Sequence, residues 1–110
     1  MRTAFTEYLA ALSTARDAFA RTEPSPDRVG KGHVAVGEHG VYAAQQQLEL
    51  VAQRTLVDKA GRATLSVLDF HDAVVAGHAP DSSEYVHAWR AVRQARTALI
   101  EEMRIALQRT

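Results

Sequence analysis

The sequence predicts an all-α fold: a helical bundle built on a long antiparallel helix hairpin, residues 41–78 and 83–109, joined by an N-terminal helix over residues 2–21. Three observations predict it. Apolar residues recur with helical period in three stretches, strand-type alternation is weak throughout, and chain-breaking residues gather at 22–40 and around 80. At 110 residues the chain reads as a single domain, able to bury a working core without much surplus.

The first helix rests on Phe5, Tyr8, Leu12, Ala15 and Phe19, which share one face at alternating spacings of three and four, with Leu9 widening the stripe. Thr22-Glu23-Pro24-Ser25-Pro26-Asp27 then stops it, because proline lacks the amide a helix needs. Glycines at 30, 32, 37 and 40 follow, so residues 22–40 read as an irregular Pro/Gly-rich connector, with a short extended piece at Val34-Ala35-Val36 as an option.

Helical periodicity resumes over residues 41–78. Val41, Ala44, Leu48, Val51, Thr55, Val67, Phe70 and Val74 lie near one face, and Leu50, Val57, Leu68 and Val75 form a second apolar strip. One long helix is expected, with or without a kink at Gly61, and two helices are the fallback. Gly77-His78-Ala79-Pro80 ends it, and Asp81, Ser82 or Ser83 caps the next helix.

That last helix carries the clearest pattern in the chain. Tyr85, Trp89, Val92, Arg96, Leu99, Met103 and Ala106 repeat at a strict 4-3 spacing, the seam by which helices pack side by side. Six of the seven suit a core and the seventh is an arginine. Tyr85, Trp89, Val92, Arg96, Leu99 and Met103 are therefore the predicted partner-binding residues, with Arg96 either snorkelling to water or bridging an interface. A continuous second helix would be about 57 Å long and the third about 40 Å. The uncovered remainder predicts a homodimer, since most oligomers are symmetric assemblies of one chain.

Composition bounds the function. Thirteen basic and thirteen acidic residues cancel, and both signs are spread evenly, which argues against a nucleic-acid-binding surface of the ordinary basic kind. Eleven of the thirteen cations are arginine and alanine is abundant, as a GC-rich bacterial coding bias gives. Cysteine is absent, which removes disulfides and thiol chemistry. No apolar run reaches the length of a membrane span and the N-terminus lacks a signal-peptide block, so no membrane association and a cytoplasmic address are expected.

Candidate chemistry is sparse. Glu84 and His87 have the Glu-x-x-His spacing of carboxylate-bridged di-iron bundles, and His71 should stand at a similar height across the hairpin. His71, Glu84 and His87 are thus the candidate metal ligands, although Glu84 also suits a first helical turn. Val29-Gly30-Lys31-Gly32-His33 has the ingredients of a phosphate nest but lacks the P-loop frame, and His33, Glu38 and His39 nearby could hold a metal weakly. Arg90, Arg93 and Arg104 are the candidate nucleic-acid contacts, diluted by Glu101. No nucleophile–base–orienter set is visible, so no catalytic residue and no cofactor are assigned. The expectation is a non-enzymatic, oligomerising protein acting through protein–protein contacts as an adaptor, assembly subunit or small regulator. A metal-binding bundle and a nucleic-acid-binding regulator are the rivals.

Overall fold

The computed structural model describes residues 1–109, and every regular element among them is helical. In chain order these are α1 (Arg2–Ala20), a single 3-10 turn at Pro26–Arg28, α2 (Gly32–Glu38), α3 (Val41–Val51), α4 (Arg54–Val75) and α5 (Ser83–Gln108). α4 lies at the centre and packs against each of the other four α-helices. No helix is long and apolar enough to cross a membrane.

α1 buries Phe5, Tyr8, Leu12, Ala15 and Phe19, the stripe its periodicity marks, against α3 and α4. Tyr8 also brings a hydroxyl into the core. Its oxygen lies 2.7 Å from the Ala60 carbonyl and 2.6 Å from Thr64 Oγ1, and Thr64 donates onward to Gln45 Oε1 at 2.8 Å. Helices α1, α4 and α3 are thus joined by one satisfied polar chain, as burial of hydroxyls requires.

α4 and α5 run side by side in opposite directions. Phe70 packs on Tyr85 and Trp89 near the turn, with ring centroids 5.2 and 5.4 Å away, while Lys59 meets Glu102 at the far end at 3.3 Å. Two local devices make the turn. Gly77 adopts φ 90°, and the amides of Gly77 and His78 return to the carbonyls of Val74 and Ala73, a Schellman close to α4. Ser82 then caps α5, its Oγ accepting from the Tyr85 amide at 3.3 Å.

The expected single helix over 41–78 is instead two helices, and the break falls at Ala52 and Gln53 rather than at Gly61. Both break residues are extended, with ψ of 154° and 159°. Folding α3 back puts Val41 and Leu48 fully into the core, which a straight helix would carry away from α1. The longest dimension of the molecule is accordingly 45 Å, short of the 57 Å that one helix would have spanned. The long uncovered helix end that motivated a second copy does not exist, so any case for self-association rests on another surface.

The connector 22–40 is also more ordered than its composition suggests. Val34-Ala35-Val36 is helical, not extended, as part of α2. Val36 enters the core, and Gly32 sits directly on α4. A Cβ at Gly32 would lie 2.8 Å from the Leu68 carbonyl oxygen, so only glycine permits this approach.

Candidate functional site

The 4-3 stripe of α5 faces inward. Val92, Leu99 and Met103 are buried, and Tyr85, Trp89 and Arg96 are half-buried against the chain's own α4 and α1. The predicted partner-binding seam is therefore occupied within the protomer. Arg96 Nη2 donates to Ser13 Oγ on α1 at 3.2 Å, and the Arg16 guanidinium stands 5.9 Å over the Trp89 ring. Both arginines reach between α1 and α5.

Arg96 bonds to a neutral hydroxyl rather than an acid, so its head gains modestly while its stem packs. Arg96→Leu is expected to keep the fold and to change stability by no more than about 1 kcal/mol, because added apolar packing offsets the lost bond. Urea denaturation measures this, and a larger loss would make Arg96 the clasp that holds α1.

The structure does not bring the three candidate metal ligands together. His71 is buried beside Phe19 of α1, with its Nδ1 2.9 Å from Asp72 Oδ1. Glu84 is exposed near His78, at 3.8 Å, and its carboxyl is held below the ordinary range chiefly by a hydrogen bond from its own backbone amide, the first-turn role. His87 is exposed on α5. Among the described residues no group of three or more histidine or acidic side chains could hold a metal ion, His33, Glu38 and His39 included. Of the candidate nucleic-acid contacts, Arg104 is paired with Glu101 at 3.2 Å, while Arg90 and Arg93 line an open groove with Gln94, Thr97 and Ala98.

The chain matches no protein-family model. Comparison with curated proteins and with solved structures likewise gives no significant match. The surface must therefore speak for itself.

Its most distinctive part is the outer face of α4 and α5. Asp58, Arg62, Leu65 and Asp69 form an exposed ridge on α4 at 4-3-4 spacing, with Leu65 59 % exposed in the middle. Alongside it runs an open groove of about 370 Å³ between the helices, lined by Lys59, Arg62, Ser66, Ala91, Gln94, Ala95 and Ala98. Small side chains there let another helix come close. On the other flank of the ridge, Tyr42, Val57 and Leu65 line a groove of about 520 Å³ between α3 and α4. Sequence reasoning missed this ridge because Leu65 stands alone among charges. An isolated leucine off the apolar stripe was the available signal.

Proposed function

We propose that the protein is a non-enzymatic helical module that works through protein–protein contacts, beginning with a second copy of itself. The observation that supports this reading is the self-complementary layout of the α4–α5 outer face. The packing of Phe70 on Tyr85 and Trp89, with Lys59 on Glu102, sets Asp69 level with Arg90, and Asp58 level with Glu101. Arg90 and Arg93 thus lie toward the turn end, and Asp58 and Glu101 toward the other, with Leu65, Ser66, Gln94 and Ala95 between them. A two-fold axis through that middle would set Arg90 of one copy against Asp58 and Glu101 of the next. The same axis brings Asp69 to that acidic level too, with Arg62 one turn nearer the axis on each copy, and Leu65 would be covered. Such pairing fixes register and partner choice more than affinity.

Analytical ultracentrifugation tests it. The wild-type chain is expected to dimerise at tens of micromolar, and Leu65→Glu or Arg90→Glu to be monomeric with unchanged helicity, since both positions are exposed. A strictly monomeric wild type, or dimers indifferent to both variants, would remove the reading.

A further inference from the structure

A second feature lies where α2 crosses α4, away from the outer face of α4 and α5. A pocket of about 170 Å³ is lined by Arg28, Lys31, Val34, Ala35, Glu38 and His71. That is room for several waters. Its floor is His71, only 3 % exposed. A carboxylate only accepts, so the Nδ1 beside Asp72 Oδ1 carries the hydrogen and donates it. The remaining nitrogen, Nε2, has no protein partner, yet no buried side-chain nitrogen or oxygen among the described residues is left unpartnered. Nε2 therefore keeps some exposure to solvent, and His71 is a lining residue of this pocket.

Arg28 and Lys31 stand at the mouth, and neither closes an ion pair with an acid among the described residues. The nearby Asp27 carboxylate accepts from Ser25 Oγ at 2.7 Å and does not line the pocket. The Lys31 amide is used on the Arg28 carbonyl at 3.0 Å, so it does not serve a phosphate nest of the kind the glycines suggest. The donors that line the pocket are the Arg28 and Lys31 side chains. The walls are held firmly, since Gly32 seats α2 against the Leu68 backbone.

We propose that this pocket binds a phosphate group bearing at least one ionisable oxygen, as inorganic phosphate or a small phosphate monoester. Arg28 and Lys31 donate to its anionic oxygens. Nε2 of His71, on a ring oriented by Asp72, is an acceptor for a P–OH. Glu38 is a second acceptor, which opposes a bare anion and makes the site selective: a phosphate with two P–OH groups meets both acceptors and a monoester with one meets either, whereas sulfate has no proton to give at neutral pH.

Isothermal calorimetry on the full chain at low ionic strength tests this, with sodium phosphate, sodium sulfate and glycerol 3-phosphate as probes. One saturable phosphate site is expected, with sulfate weaker by roughly tenfold or more. The Arg28→Ala, Lys31→Ala double variant should lose the site while keeping its melting point, because both side chains are exposed. Glu38→Gln should bring sulfate up to the affinity of phosphate. Competition by glycerol 3-phosphate assigns the pocket to esters, and its failure beside phosphate binding assigns it to the free ion. No saturable heat with phosphate or the ester at millimolar concentration, or binding that survives the double substitution, overturns the proposal.

Discussion

Phe70→Ala is expected to cost about 3–5 kcal/mol, the usual range for emptying a buried aromatic site. Phe70 is fully buried and carries two aromatic partners on α5, Tyr85 and Trp89. Neither partner can collapse into the space without breaking the α4–α5 register. Against a total stability of about 5–15 kcal/mol, that leaves a marginal fold, with a melting point lower by roughly 15–25 °C. Trp89 is the only tryptophan, so its fluorescence reports this seam directly. Leu50→Ala is the control, since Leu50 is 78 % exposed and should move stability by no more than about 0.5 kcal/mol. Equal losses from the two substitutions would mean that the α4–α5 seam does not hold the bundle.

The second large effect is alkaline. Burial pushes the Tyr8 phenol from its ordinary 10.0 up to about 12, and the Thr64 hydroxyl only partly opposes that shift. In the unfolded chain the phenol ionises near its ordinary value, while the folded core holds the proton longer. The folded state binds more protons between those two values, so stability is intact below about pH 10 and falls as pH rises through about 12. The loss over that window is about 2–3 kcal/mol at 1.36 kcal/mol per pH unit. Tyr8→Phe should remove this alkaline limb. At neutral pH it should cost about 1–3 kcal/mol, because the Thr64 hydroxyl and Ala60 carbonyl each lose one buried partner. Urea titrations of both proteins between pH 8 and 12 measure it. Parallel curves would show that Tyr8 ionises as freely in the fold as out of it.

How far the sequence reveals this molecule depends on length and phase. The α1 stripe is five residues with one period, and each of those residues is buried as its spacing implies. The break between α3 and α4 is hidden by the same logic. Leu48, Ala52 and Leu56 keep a four-residue spacing across it, so the apolar phase continues although the backbone turns. Tertiary burial of Val41 and Leu48 decides the matter, and no local residue announces it. α2 is invisible for a different reason: in seven residues it buries only Gly32 and Val36, too few to show a period. The seam of α5 was legible as packing, but its partner was not, because a stripe does not say whose helix it meets. The pocket at His71 was out of reach altogether. It joins Arg28, Lys31 and Glu38 to a residue over thirty positions later, through a contact that depends on a missing Cβ at Gly32.

The bond between Tyr8 and Ala60 also sets a timetable. The two residues are 52 positions apart, and the surface that receives α1 is built from α3 and α4. A ribosome adding about 5–20 residues per second needs about 3–10 s to make that interval. Until α3 and α4 are both made, Phe5, Tyr8 and Leu12 lack the full surface that buries them, and the newborn helix presents its most adhesive side to whatever is near. The α4–α5 pair, close in sequence, can form as soon as both are made, while α1 waits longest. The interval just after synthesis of α1, rather than the finished fold, is when this chain is most open to capture by a chaperone or by another copy of itself.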